Sequence, residues 1–174
     1  ASARSTGGHG NDTRGLRGGG ADPSNTNVID YVTYATVGDA TDFGDLTSAR
    51  QQAMASGSNT RTVFGGGFSV TDIIDYVTTA STGNATDFGD LSVARNGGAS
   101  VSSTTRSVFG GGATPSNSNV IDYVTIGSTG NATDWGNLLS SGEAFTGGGN
   151  ATRAIFTGNS SNVIQYITYA TEGD

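Results

Sequence analysis

Apolar positions along this chain come in short runs, broken at short intervals by glycine, serine, threonine and asparagine. In the run Ile73-Ile74-Asp75-Tyr76-Val77-Thr78, residues Ile74, Tyr76 and Thr78 fall on one side of an extended strand. Ile73, Asp75 and Val77 fall on the other, so both faces carry apolar groups, as suits a strand inside a stack of sheets. Nowhere does an apolar stripe of helical period run to a useful length. β-branched and aromatic runs bounded by turn residues predict many short strands and an all-β chain.

The pattern repeats. Ile-Asp-Tyr-Val-Thr occurs at Ile29–Thr33, Ile74–Thr78 and Ile121–Thr125, and returns as Ile164-Gln165-Tyr166-Ile167-Thr168. Its tyrosines, Tyr31, Tyr76, Tyr123 and Tyr166, are 45, 47 and 43 residues apart. A Thr-Arg pair keeps the same period and ends at Arg14, Arg61, Arg106 and Arg153. Asp-aromatic-Gly-Asp/Asn-Leu recurs around Phe43, Phe88 and Trp135, and a small-Ala-Arg triplet ends at Arg4, Arg50 and Arg95. Within residues 47–91 the pattern predicts four strands, near Gln52–Ala55, Arg61–Gly65, Ile73–Thr79 and Thr86–Leu91. Four antiparallel strands in about 40–50 residues is the size of a propeller blade, and such sheets bury their faces only by stacking on one another.

The chain accordingly divides into units of approximately 1–46, 47–91, 92–138 and 139–174, forming a single repeat domain. The fourth is worn, with Gly142 in place of the triplet arginine and no Asp-Phe-Gly-Asp-Leu segment before Asp174. The fold expected is a β-propeller of about four four-stranded units. A small closed ring is favoured over a part of a larger ring or of a longer array. Edges left bare at the ends would invite another chain.

In these residues the chain resembles the Kelch repeat. That unit has an arginine near its start, a strand ending in paired glycines, a tyrosine on the next strand, then a tryptophan and a leucine. Arg50, Gly65-Gly66, Tyr76, Phe88 and Leu91 take those places in one unit, and Arg95, Gly110-Gly111, Tyr123, Trp135 and Leu138 in the next. The Val-Ile-Asp-Tyr-Val-Thr and Gly-Asn-Ala-Thr-Asp-Phe-Gly-Asp-Leu wording is similar to tandem repeats of large virion-associated, tail-fibre-like proteins of marine cyanobacterial phages. The resemblance implies a virion or extracellular location and a structural role.

Composition removes most chemistry. The 174 residues include no cysteine, one histidine (His9) and no lysine. Thiolate chemistry, multi-histidine metal sites, a P-loop and a Schiff base are thereby excluded. A net charge of −7 argues against a nucleic-acid partner, which needs clustered cations. No apolar run reaches the length of a membrane span.

Several repeated groups remain as candidates. The pairs Asp42/Asp45 and Asp87/Asp90, with Asp134/Asn137, set oxygens three residues apart and offer weak calcium positions; turn caps or partners for the repeated arginines are the plainer reading. No other cofactor is expected. Arg14, Arg61, Arg106 and Arg153 could ring a channel as anion ligands, or satisfy carbonyls and the neighbouring aspartate of their own unit. Tyr31, Tyr76, Tyr123 and Tyr166 could stack on sugars, though packing is the commoner use, and Phe43, Phe88 and Trp135 read as core between units. The glycine triplets at 18–20, 65–67, 110–112 and 147–149 read as tight-approach and turn positions. Sequons begin at Asn11, Asn84, Asn131, Asn150 and Asn159, where left-handed turn geometry is the expected reason for asparagine.

The reading is a non-enzymatic structural or binding propeller. It engages other protein chains of an assembly or a host-surface glycan, as an oligomer or within a larger complex. The alternative is a carbohydrate-active enzyme on the same scaffold, for which Glu143 and His9 are the only acid and base outside the repeat.

Overall fold

A computed structural model describes residues 6–69, 71–158 and 162–171. They form an all-β structure of antiparallel sheets arranged as a four-bladed β-propeller. The first sheet contains β1 (Gly7–Gly10), β2 (Arg14–Gly18), β3 (Val28–Thr33) and β4 (Thr41–Asp45), in that order. The second contains β5 (Met54–Gly57), β6 (Arg61–Gly65), β7 (Ile73–Thr78) and β8 (Thr86–Asp90). The third contains β9 (Ala99–Ser102), β10 (Arg106–Gly110), β13 (Val120–Thr125) and β14 (Thr133–Asn137), with a small β11–β12 hairpin (Ala113–Thr114, Ser116–Asn117) between its middle strands. The fourth has three described strands, β15 (Phe145–Gly149), β16 (Arg153–Gly158) and β17 (Ile164–Thr168). Among the described residues no helix is long and apolar enough to cross a membrane.

The first strand of the second sheet begins two residues later than the sequence suggests. Gln52 adopts a φ of 58°, in the left-handed region, so the chain is still turning there. In the three complete sheets the register slips by one residue between Ile29/Asp30, Ile74/Asp75 and Ile121/Asp122. The residue left unpaired is the aromatic of the outer strand: Phe43, Phe88 or Trp135. A bulge at each of these positions is followed by a glycine of positive φ, 145°, 141° and 139° at Gly44, Gly89 and Gly136. The Asp-aromatic-Gly motif is therefore a bulge signal that turns a large ring into the core.

Three apolar cores lie between successive sheets. Leu16, Ile29, Phe43 and Leu46 of the first sheet pack on Phe64 and Val77 of the second. Met54, Val63, Ile74, Phe88 and Leu91 pack on Phe109, Val124 and Ile126 of the third. Val101, Val108, Ile121, Trp135 and Leu138 pack on Phe145, Ala154 and Phe156 of the fourth. The first strands lie side by side in the series β1, β5, β9, β15, and among the described residues no comparable packing joins β15 back to β1. Among the described residues no sheet packs on the face of the fourth sheet directed away from the third.

A phenylalanine of each sheet presses on the glycine that ends the second strand of the sheet before. A Cβ on Gly18 would sit 2.7 Å from Phe64, one on Gly65 2.8 Å from Phe109, and one on Gly110 2.9 Å from Phe156. Three of the four glycine triplets serve this contact and the turn that follows. The fourth, Gly147–Gly149, belongs to a different place, the first strand β15, where a Cβ on Gly147 would meet Val101 at 2.4 Å.

Candidate functional site

The repeated side chains are best followed from the strands that carry them. Arg14, Arg61 and Arg106 each open a second strand opposite Thr33, Thr78 and Thr125 and lie over the tyrosine two residues before that partner, with guanidinium-to-ring distances of 4.7, 4.5 and 4.7 Å to Tyr31, Tyr76 and Tyr123. Their Nη1 groups then donate across to the next sheet, to the carbonyls of Ala80 (2.9 Å), Ile126 (2.8 Å) and Tyr169 (2.7 Å). Behind each tyrosine stands the bulged ring, edge-on: Tyr31–Phe43 at 5.8 Å, Tyr76–Phe88 at 5.7 Å and Tyr123–Trp135 at 5.0 Å. Cation, phenol and bulged aromatic form one stack per sheet, which joins that sheet to its successor. Arg153 stands 4.8 Å over Tyr166 in the same way, but no described sheet follows it.

The aspartate expected beside these arginines is used by a different set. Arg50 pairs with Asp75 at 2.8 Å and Arg95 with Asp122 at 2.8 Å, all four side chains being essentially removed from solvent. Asp75 also accepts from the Thr47 hydroxyl (2.6 Å) and amide (3.2 Å), and Asp122 accepts from the Ser92 amide (3.2 Å) and hydroxyl. Burial lowers the Arg95 guanidinium from its ordinary value, and Asp122 acts against that shift. At the last interface both members change together: Gly142 replaces the arginine, and Gln165 replaces the aspartate, accepting from the Leu139 amide at 2.6 Å. Arg4, the first of the triplet series, lies outside the described residues. The recurrence of an arginine and an aspartate 25 and 27 residues apart, lost jointly in the last unit, was the available signal for this pair.

The calcium candidates Asp42, Asp45, Asp87 and Asp90 lie on the outer strands beside the buried ring. Among the described residues no three acidic or histidine side chains come together as metal ligands. Asp90 is held above the usual carboxylate value by desolvation, then by Asp72 and Asp87.

The sequon asparagines among the described residues do not take left-handed geometry. The positive φ falls on the glycine before them, 154° at Gly83 and 153° at Gly130. Asn84 Oδ1 accepts from the Asp45 amide of the preceding sheet, and Asn131 Oδ1 from the Asp90 amide, both at 3.1 Å. Asn11 and Asn150 instead cap their own turns, accepting from the amides of Thr13 and Arg14 and of Thr152 and Arg153. Asn159 lies outside the described residues.

At one end of the first strands their turns enclose a polar mouth of about 410 Å³, lined by His9, Ser58, Asn59, Thr60, Ser102 and Ser103 among others. Burial pushes the His9 imidazole below its ordinary value, against the opposing effect of a hydrogen bond with the Ser58 backbone. His9 Nε2 is buried and has no hydrogen-bond partner among the described residues. Apart from this imidazole the mouth offers hydroxyls and an amide. Glu143, the other group outside the repeat, is exposed just before β15 and does not line it. Of these residues the sequence singles out His9, as the base outside the repeat, and Thr60, as part of a Thr-Arg pair, but none of the others. No protein-family model matches the chain, and no curated protein sequence matches it.

Proposed function

We propose that this propeller is a non-enzymatic component for assembly or surface attachment, working in a virion or extracellular appendage. One observation carries the reading: the repeated charged and aromatic side chains are engaged between sheets, in the Arg–Tyr stacks and the buried Arg–Asp pairs. At the surface stand hydroxyl, amide and carboxylate groups, Asp42, Asp87 and Asp90 among them, together with the apolar Ile155, Ile164 and Tyr166 of the fourth sheet. Such groups recognise partners by shape and hydrogen bonding. The Kelch-like and phage tail-fibre-like wording of the repeat agrees with this role.

The polar mouth around His9 favours a second arm of the same reading, attachment to a glycan, because clustered Ser, Thr and Asn groups match sugar hydroxyls. Capture of the tagged chain's partners from purified particles, beside a glycan array, separates the arms. A protein partner in the particle supports assembly, and array binding lost in Asn59→Ala with Ser102→Ala supports the glycan. Absence from particles together with an empty array refutes both. Turnover of model oligosaccharides that is lost in Glu143→Gln would replace both with the enzyme alternative.

A further inference from the structure

Beside Arg61 a groove of about 410 Å³ opens between the second and third sheets, lined by Arg61, Ser58, Thr60, Thr104, Thr125 and Gly127 among others. Ser58, Thr60 and Thr104 also line the mouth around His9, so the two depressions meet along these hydroxyls as one trough. Thr60, Thr104 and Thr125 are exposed along it. The second and third sheets each have a neighbour packed on both faces, so the trough lies in the middle of the array.

A local departure from the repeat keeps the groove open. Between the first and second sheets, Arg14 Nη1 donates to the Ala80 carbonyl at 2.9 Å. Gly127 stands at the position of Ala80 in the third sheet, and Arg61 Nη1 donates one residue earlier, to Ile126 at 2.8 Å. A Cβ on Gly127 would meet nothing within 4 Å. The charge in the trough is of one sign. In a chain with 15 Asp and Glu residues, none lines either depression. Asp12, beside the mouth, accepts from Asn59 Nδ2 at 3.2 Å. Arg61 has no ion-pair partner among the described residues, and the Ile126 carbonyl takes one of its nitrogens only.

We propose that the trough binds an acidic oligosaccharide, with a uronate carboxylate on the Arg61 guanidinium and neighbouring sugar hydroxyls on the Ser, Thr and Asn groups toward His9. A planar guanidinium matches a planar carboxylate as a fork, which sets a uronate apart from a neutral sugar. Sugar rings carry hydroxyls on most of their carbons, and hydroxyls are what the trough offers in return. An acidic peptide would satisfy Arg61 but leave most of those groups without partners. Few precisely placed polar groups suffice to orient a ligand in a site of this kind. The proposal deepens the glycan arm of the function above and rests on it.

The test is isothermal titration calorimetry of the whole chain with trisaccharides of galacturonate, glucuronate and mannuronate, each beside its methyl ester, and with triglutamate. Saturable binding of at least one free uronate is expected, with a Kd of about 1 mM or tighter. Its methyl ester, and Arg61→Gln in the protein, should each weaken it about 10-fold or more. Arg61 also joins the second sheet to the third, so Gly127→Leu is the second variant. The leucine enters open space beside Arg61, should keep the parent circular dichroism, and should abolish binding. No saturation with any free uronate, equal binding of triglutamate, or binding indifferent to Gly127→Leu overturns the proposal. Methyl esters that bind as well as the free acids refute the carboxylate contact and leave the glycan arm standing. If no sugar binds while the chain co-purifies with particles, the trough is refuted and the assembly role stands.

Discussion

Gly65→Ala is a small perturbation with a calculable consequence. The backbone at Gly65 is not in the left-handed region, so alanine is allowed on conformational grounds and should gain about 0.4–1 kcal/mol through the unfolded state. Against this, the new methyl would sit 2.8, 3.1 and 3.3 Å from Cε1, Cζ and Cδ1 of Phe109. That ring is fully buried in the core between the second and third sheets and has nowhere to swing. Overpacking of this kind costs about 1–3 kcal/mol, so a net loss of about 1–2 kcal/mol is expected. Urea unfolding followed by the emission of Trp135 measures it. Gly148→Ala is the matched control, since its nearest neighbour is Ile155 Cγ1 at 3.9 Å, and it should stay within about 0.5 kcal/mol of the parent. Phe109→Leu removes the ring edge that clashes. The double variant should therefore be more stable than the sum of the singles by about 1 kcal/mol. If Gly65→Ala behaves like Gly148→Ala, or if its cost adds to that of Phe109→Leu without coupling, the interlocking of ring and glycine is not what spaces the sheets.

Three further outcomes follow from the buried and titrating groups. Asp75→Asn leaves the Arg50 charge buried without its counter-ion and should cost about 3–5 kcal/mol in chemical denaturation; Arg50→Gly with Asp75→Gln, the combination found at the last interface, should be less damaging than Asp75→Asn alone. The Tyr169 hydroxyl is buried without a partner among the described residues, and burial pushes it up to about 12 from 10.0. A phenol raised on folding stabilises fully below its unfolded value and loses that contribution as pH climbs from 10.0 toward 12; Tyr169→Phe should remove this alkaline loss in thermal melts and be neutral or up to about 1 kcal/mol stabilising at neutral pH. Asp90 is raised, by desolvation and then by Asp72 and Asp87, so the native state holds its proton more tightly than the unfolded chain. Stability therefore falls as pH rises from 3.8 through the folded value, and Asp90→Asn should raise the Tm slightly at neutral pH, the exposed carboxylate being screened by solvent, and leave it unchanged in acid. A thermal shift equal at both pH values would contradict the carboxylate repulsion.

Much of the scaffold was legible in the sequence because the repeat made it so. Alternation in Ile-Asp-Tyr-Val-Thr placed Ile74 in one core and Val77 in the other, and period two allows no other arrangement once both faces are covered. The tyrosines and bulged rings were placed in packing for the same reason. What escaped depends on where a side chain reaches after leaving its strand. Arg61 and Arg50 are both arginines near a strand start, yet one stacks on Tyr76 and donates to a carbonyl, while the other neutralises Asp75. Residue type alone could not divide those duties. Asparagine in the Gly-Asn-Ala-Thr turn suggested backbone geometry, but the glycine before it takes the unusual φ, which frees the amide to reach the neighbouring sheet. The mouth around His9 is assembled from turns of different units, and proximity across units is set by the curvature of the whole array.

The outward faces of the first and fourth sheets differ in chemistry. On the first, the position held by Phe64, Phe109 and Phe156 elsewhere is Arg17, which pairs with Asp30 beside it. The corresponding change at the other end is Thr157, standing where Gly18, Gly65 and Gly110 receive a ring. Thr157 cannot admit a phenylalanine in the same way, so the fourth sheet is not shaped to accept a further identical neighbour. Yet Ile155, Ile164 and Tyr166 keep the apolar character of an inner face, and no charge replaces them. A threonine there closes the glycine seat that each preceding interface uses, while the apolar face beside it stays unchanged.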